Sequence, residues 1–304
     1  MLVSTAYPAE NKLMNRSIDF ANAIVWITGA SSGIGAALAI QLAARGSALV
    51  LSARDVTALE KVRDECTSKG ADPEKIMLLP LDVLDFDAMS EKATAVVDRF
   101  GGIDLLLNNA GVSQRSPCID TDFDVYRRVL DINVLGPIAL TKAVLPIMLQ
   151  QGHGTLAVTS SVAGKVGAPL RTGYCAAKHA VMGFFDALRT EIAPAGLQVA
   201  TITPGFIHTN VAKNALNAKG ETTGESDDDI EGGMSAEDCA AAIIDGFIKG
   251  TPEIAVGEGP EMALLRLKQE DPEAAFSMLE KMAVESGAVP ARPAAGPAYP
   301  PGPQ

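Results

Sequence analysis

Aromatic residues are scarce in this chain. Its 304 residues include one Trp, four Tyr and nine Phe, 5% in all. The hydrophobic content is nevertheless 47%. Small and aliphatic residues carry it, which suits a parallel sheet covered closely by helices. That much apolar material can form one large core or two modest ones. No apolar run approaches the roughly 18 residues that span a bilayer, so no transmembrane segment is expected. The stretch from Met1 to Phe20 lacks a basic cap followed by a long apolar run. It does not read as a signal peptide, and a cytoplasmic location is expected. Cys66, Cys118, Cys175 and Cys239 are scattered without a C-x-x-C pair, which excludes a disulfide framework and favours free thiols. His153, His179 and His208 show no ligand spacing, so no metal site is expected.

A basic excess is also missing. The net charge is -12, and residues 221–285 hold 17 acids against 4 bases. The rest of the chain is close to neutral. This excludes nucleic-acid binding by bulk electrostatics and makes the acidic quarter a solvated surface.

What is present is a rhythm of apolar runs and helical patterns. Strands are expected at 23–28, 48–53, 76–80, 104–107, 154–159, 198–203 and 253–256. Most are continuous Val/Ile/Leu runs, as in strands covered on both faces. Helices are expected near 33–45, 55–69, 87–100, 123–150, 174–193 and 235–248, with one or two more in 260–285. Gly46, Gly70, Gly101 and Gly196 fall just past helices, at left-handed C-cap positions. The alternation predicts an α/β fold with a doubly wound parallel sheet of seven strands in three layers. No internal repeat is visible. The expected organisation is an N-terminal arm over 1–20, a dinucleotide-binding domain over 21–258 and a helical extension over 259–287. A Pro/Ala-rich tail follows over 288–304. Within the domain, the polar and acidic segment 206–234 is long enough to be a substrate lid.

Two motifs carry chemistry. Thr28-Gly29-Ala30-Ser31-Ser32-Gly33-Ile34-Gly35 follows the first apolar run. A strand that hands over to a Gly-rich turn aims backbone N–H groups at a ligand. Gly29 permits the sharp turn, and Gly33 and Gly35 permit close approach at a helix N-terminus that favours a pyrophosphate. The second strand ends at Ser52-Ala53-Arg54-Asp55. Ala53 offers no carboxylate to a ribose and Arg54 offers a cationic fork for a 2′-phosphate, so NADP is expected over NAD. Asp55 can pair with Arg54 and blunt that charge, and Ser32 can add a hydroxyl donor. Asp82 can accept from an adenine amino group while Val83 packs the ring, or Asp82 can be an ordinary helix cap. Asn108-Asn109-Ala110-Gly111 ends the fourth strand, where small residues allow the backbone near a cofactor.

The second motif is Tyr174-Cys175-Ala176-Ala177-Lys178. On a helix, residues i and i+4 share a face. A nearby ammonium is expected to lower the tyrosine pKa and fit it for proton transfer. Lys178 can also bond the nicotinamide ribose. Ser161, just after the fifth strand, can hold a substrate oxygen beside Tyr174.

Taken together, over roughly residues 20–258, these motifs resemble the short-chain dehydrogenase/reductase family. The resemblance rests on Thr28 to Gly35, Asp82, Asn108 to Gly111, Asn133, Ser161, Tyr174, Lys178 and Pro204-Gly205, in that order. It implies a Rossmann fold and an oxidoreductase (EC 1.1.1.-) that moves a hydride between NADP(H) and a carbonyl or secondary alcohol. It implies a Ser-Tyr-Lys triad joined by Asn133, which would hold a water in a proton relay from Lys178. It further implies that Pro204, Gly205, Ile207 and Thr209 form the nicotinamide-side loop, with the Ile207 backbone bonding the carboxamide. A homodimer or homotetramer built through the long helices is implied as well. The extension beyond Gly257 and the Leu51 to Arg54 stretch are similar to the hydroxysteroid-dehydrogenase-like branch, which points to a lipophilic substrate. A 3-ketoacyl-thioester reductase and a non-catalytic NADP-binding sensor or scaffold are the alternatives. The apolar stripe at 262–283 can cap the pocket, pack on a partner subunit or touch a membrane.

Overall fold

The computed structural model describes residues 17–226 and 228–288. Most of the expected N-terminal arm, all but the first residue of the Pro/Ala-rich tail, and Asp227 of the acidic run lie outside them. Seven strands form one parallel sheet: β1 (Ile24–Thr28), β2 (Ala48–Ser52), β3 (Ile76–Leu78), β4 (Leu105–Asn108), β5 (Thr155–Thr159), β6 (Gln198–Pro204) and β7 (Glu253–Val256). Their order across the sheet is β3-β2-β1-β4-β5-β6-β7. The winding reverses between β1 and β4, the place where ligands bind in open α/β sheets.

The central strands bury both faces, which explains their unbroken apolar runs, whereas the edge strand β7 alternates exposed and buried residues. All five residues of β2 are buried. Along β1, Val25 and Ile27 join one core while Trp26 joins the other. The first core is covered by α1 (Gly33–Ala43), α2 (Val56–Ser68) and α8 (Ala236–Ile248). The second is covered by α3 (Met89–Phe100), α4 (Phe123–Leu130), α5 (Gly136–Gln151) and α6 (Thr172–Ile192). A short α7 (Asp228–Glu231) interrupts the segment before α8. The extension folds into α9 (Pro260–Glu270) and α10 (Pro272–Glu285). Together they bury Leu264, Ala275 and Leu279 against Val166.

Local chemistry sets the helix ends. Asp55 accepts from Ala58 N at 3.0 Å to start α2. Ser235 does the same for Asp238 N at 3.0 Å to start α8. Gly101 closes α3 in the left-handed region at φ 90°. The Trp26 indole, fully buried, donates to Ser52 Oγ at 2.9 Å, tying β1 to the end of β2.

Three expectations shift. The strand expected at 76–80 ends at Leu78, although Leu79 N and Leu81 N still donate to Leu51 O and Ala53 O, so that Pro80 sits with its nitrogen on the open edge of the sheet. Residues 123–150, expected as one α-helix, contain a π-helical turn at Asp131–Leu135 between α4 and α5. The whole run Phe123–Gln151 is also long and apolar enough to cross a membrane by length and composition. This corrects the expectation that no apolar run has that length. In this fold its inner face, with Val125, Val129, Leu140, Val144 and Met148 buried, packs on the sheet.

Candidate active site

At the carboxyl end of β1 the Gly-rich turn fits a dinucleotide for three structural reasons. Gly29 takes φ 66° and Gly33 φ 53°, conformations that disfavour side chains. A Cβ on Gly35 would stand 2.3 Å from the Gly29 carbonyl oxygen, so only glycine lets α1 begin this close to the strand. Ser32, at the N-cap, makes no side-chain cap bond, and the first turn of α1 carries no acid. Its N–H donors and partial positive charge are left for an anion.

The turn is braced from β4. Thr28 Oγ1 accepts from both Asn109 N and Ala110 N at 3.0 Å. Asn109 Nδ2 donates to Thr28 O at 3.1 Å, and its Oδ1 accepts from Thr159 Oγ1 at 3.1 Å. The Asn109 side chain is therefore engaged inside the scaffold, linking the ends of β1, β4 and β5. Gly111 has a reason the sequence did not reveal. A Cβ there would lie 2.7 Å from Asn133 Oδ1 and 3.5 Å from Lys178 Nζ.

On the adenosine side, Arg54 is exposed and makes no ion pair with any described residue. The Asp55 carboxylate caps α2 instead of pairing with it. Asp82 Oδ1 accepts from Leu84 N at 3.0 Å in a turn. It does not cap α3, whose N-cap is Ala88. Val83 lies against Gly136 at the start of α5.

The side chains expected to transfer the proton converge at the end of β5. Ser161 Oγ accepts from Ala163 N at 3.1 Å, closing a 3-10 turn at Val162–Gly164. The same hydroxyl lies near enough to the Tyr174 phenol on α6 to pull its pKa down. Lys178, one turn further along α6, is buried and donates to Thr159 O at 2.8 Å. Its Nζ stands 5.5 Å from the Tyr174 ring centroid. Burial pushes Lys178 down to about 8. The Tyr174 phenol is held above its ordinary value, chiefly by burial, against the opposing pull of Ser161 and Arg171. This reverses the sign expected from sequence. Desolvation outweighs both of these, and the Lys178 ammonium faces the ring and bonds a carbonyl. The phenol keeps its proton until a partner takes it.

Asn133 sits in the π turn and is 1% exposed. Its Nδ2 donates to Val112 O and Val129 O, both at 2.9 Å, and its Oδ1 accepts from Val112 N at 3.3 Å. Both amide hydrogens are thus taken by backbone, so a relay water would be held here by an acceptor. Gln114 was missed by the sequence reasoning. Fully buried, it accepts from Gly173 N at 3.0 Å and donates to Ser116 O at 2.9 Å and Leu170 O at 3.1 Å. The N-cap of α6, Arg171, makes no side-chain cap bond, and Gln114 supplies one from 59 residues away. It also helps hold Leu170 at φ 62°, a conformation uncommon outside glycine.

The segment after β6 completes the edge. Gly205 N donates to Val256 O at 2.7 Å. Ile207 forms a parallel bridge with Met234, in which Met234 N donates to Phe206 O and His208 N to Met234 O. That pattern directs the N–H and C=O of Ile207 itself away from Met234. Thr209 reaches the other motif, its Cγ2 lying 3.1 Å from where a Gly33 Cβ would be.

With the site assembled, comparison with known proteins is decisive. The family model for short chain dehydrogenase matches residues 23–220. This chain belongs to the short-chain dehydrogenase family. It is 41% identical over 261 residues to human "Dehydrogenase/reductase SDR family member 7", covering 85% of this chain and 77% of that protein. It is 39% identical over 245 residues to mouse "Dehydrogenase/reductase SDR family member 7B", covering 80% and 76%. Among solved structures, it resembles a Burkholderia phymatum short-chain dehydrogenase/reductase in complex with NAD. That match has a TM-score of 0.74 and 26% identity, over 91% of this chain and 99% of the other. An alcohol dehydrogenase from Thermococcus sibiricus complexed with 5-hydroxy-NADP matches with a TM-score of 0.66 and 26% identity, over 77% and 96%. The chain is thus an NAD(P)-dependent oxidoreductase of the dehydrogenase/reductase class.

In this short-chain dehydrogenase the segment expected as a substrate lid packs against the loop at 113–122 and forms a wall there. Leu216 is buried, bonds Ser113 O and Arg115 N through its backbone, and bridges Gln114. Asp122 N donates to Ala218 O, and Lys219 pairs with Asp122 at 2.9 Å. Two surface clefts of about 310 and 330 Å³ lie at the opposite, amino edge of the sheet, beside Asp104 and Gln198 and beside Ser47 and Lys75. Neither holds a residue of the proton-transfer group.

Proposed function

We propose that the protein is an NADP-preferring carbonyl reductase or alcohol dehydrogenase acting on a lipophilic ketone or secondary alcohol. The observation that carries this reading is the meeting of Ser161, Tyr174 and Lys178 at the sheet edge that also presents the bare start of α1. Gly29, Ser31, Ser32, Gly33, Ile34 and Gly35 would hold the pyrophosphate, Arg54 the 2′-phosphate, and Asp82 and Val83 the adenine. Ala110, Lys178 and the Pro204, Gly205, Ile207 and Thr209 segment would hold the nicotinamide half. A bound nicotinamide supplies or accepts the hydride.

The residues then divide the proton work. Tyr174 donates its proton to the carbonyl oxygen, and its raised pKa keeps that proton in place at neutral pH. Ser161, beside Tyr174, orients the same oxygen. The Lys178 ammonium stabilises the phenolate left behind, so its charge matters more after transfer than before it. In the alcohol-oxidising direction the same groups run in reverse.

The NADP preference rests on Arg54, exposed and unpaired among the described residues, and on Ala53, which presents no carboxylate to a ribose. Solved relatives with NAD and with a modified NADP show that this fold accepts either. The lipophilic substrate rests on the wall 206–234 and its neighbour 112–122, where Ile119 and Phe123 are exposed beside the paired strand-like segments. The likeness of the extension to the hydroxysteroid-dehydrogenase-like branch points the same way. Exposed Leu130, Leu135 and Leu149 along the α4–α5 run support a homodimer or homotetramer formed there.

The test is a hydride-transfer assay over a panel of ketones, native protein against Tyr174→Phe. We expect a loss of about 10²–10⁴-fold in kcat with cofactor binding retained. Equal rates would sink the mechanism. Arg54→Ala should weaken NADPH by about tenfold and leave NADH nearly unchanged; equal losses would remove Arg54 as the phosphate partner.

A further inference from the structure

Helix α9 buries two side chains, and one of them is a glutamate: Glu261, 7% exposed, beside Leu264 one turn on. A buried carboxylate on a surface helix needs a reason, since burying a charge without partners is costly. Its Oε1 accepts from Phe206 N at 3.2 Å, within the segment that follows β6. Its Oε2 has no hydrogen-bond partner among the described residues. Three glycines clear the space it occupies. A Cβ on Gly205 would lie 2.0 Å from Oε1, on Gly257 2.9 Å from Oε1, and on Gly259 2.2 Å from Oε2. Backbone has been brought around this carboxylate from both sides, the loop after β6 and the turn into α9.

The peptide it holds is Gly205–Phe206, one residue ahead of the Phe206–Ile207 peptide. Phe206 N–H goes to Glu261, Phe206 O to Met234, and the groups of Ile207 are thereby turned to the other side. The same helix reaches the proton-transfer group. Lys268 Nζ donates to Lys165 O at 2.6 Å, and Leu264 packs on Val166, both just beyond Ser161. Helix α9 therefore grips the segment after β6 with its first turn and the segment after β5 with its last.

We infer that Glu261 is a positioning residue: through Phe206 N it sets the backbone of Ile207 against the nicotinamide half of the cofactor. The C-terminal extension is then part of the cofactor-binding machinery. This rests on the reading of Pro204 to Thr209 as the nicotinamide side. Glu261 touches no reacting atom, and its removal should be felt by the nicotinamide half alone.

The experiment compares binding of NADPH with binding of 2′-phospho-ADP-ribose, the same molecule without nicotinamide, by titration on the intact chain. Glu261→Ala should weaken NADPH by about tenfold and leave 2′-phospho-ADP-ribose within about twofold. Glu261→Gln, which keeps an acceptor for Phe206 N–H, should recover most of that loss. Glu261→Asp, which keeps the charge but is too short to reach, should not, and it carries the same comparison if the alanine variant does not fold. Equal losses for both ligands, no loss for either, or a glutamine variant no better than alanine would overturn the inference. NADH and ADP-ribose run as a second pair separate the questions. Native protein binding this pair alone refutes the 2′-phosphate reading and leaves the Glu261 comparison to be read on NADH. Native protein binding neither pair refutes the cofactor reading and this inference with it.

Discussion

Helices α1 and α6 both start at the carboxyl edge of the sheet, and the chain treats their first turns in opposite ways. At α1 no side chain caps the turn and no acid sits in it. At α6 the turn lacks a local cap, yet Gln114 arrives from a distant loop to accept from Gly173 N. On the proposed reading the backbone donors of α1 are themselves the binding group, which accounts for their being left bare. On the same reading the working groups of α6 are side chains further along, Tyr174 and Lys178, and the helix start is tied down to keep them from shifting. Helices α2 and α8, which carry no chemistry, are capped by the ordinary local means of Asp55 and Ser235.

The contrast can be broken most forcefully at Gly35. Gly35→Ala places a methyl 2.3 Å from Gly29 O and 2.7 Å from Asn109 Nδ2, which must push α1 off the strand. We expect a loss of about 1–3 kcal/mol in urea unfolding together with a greater than about tenfold loss in NADPH affinity. Unchanged affinity would mean that the bare turn is not the binding group.

Gln114→Ala tests the other helix. It leaves the buried Gly173 N–H without its acceptor, at a cost of about 1–3 kcal/mol. Here kcat should fall while NADPH affinity holds within about twofold. A parallel fall in affinity would dissolve the distinction between the two helix starts.

The smallest effect is a pH slope. The folded pKa of Lys178, about 8, lies below its ordinary 10.5. Between those values the unfolded chain binds the proton more tightly than the folded one. Native stability therefore rises as pH increases through this window, and below it the cost of burying the ammonium is present in full. Replacing Lys178 with Met should remove the rise, worth about 1 kcal/mol between pH 8 and 9. Denaturation curves at the two pH values decide it, and an unchanged slope would place the burial cost elsewhere.

Much of the sheet could be read from sequence because its central strands are covered on both faces. Runs such as Ala48–Ser52 then carry no alternation to misread. The Gly-rich turn and the Tyr174/Lys178 pair were legible for a similar reason, since each is a local pattern whose meaning does not depend on distant residues. The groups that went unseen act across the chain. Gln114 reaches Gly173, and Glu261 reaches Phe206 from 55 residues away. Pro260-Glu261 reads as an ordinary acidic first turn until the glycines around it are seen in space. The packing of 206–234 could not be read from sequence because its partners, Ser113, Arg115 and Asp122, belong to another loop. The π turn at Asn133 leaves no mark in the apolar pattern, which continues through it. The sign of the Tyr174 shift was misjudged because pairing is visible in sequence and burial is not.

Trp26 has a practical consequence. It is the one tryptophan in the chain, and its indole N–H is bonded to Ser52, two residues before Arg54. Its emission therefore comes from a single buried spot beneath the adenosine end of the proposed cofactor site. A shift in that emission on unfolding, or its quenching by transfer to a reduced nicotinamide, reports on folding and on binding without any label. The scarcity of aromatic residues makes the protein its own optical probe.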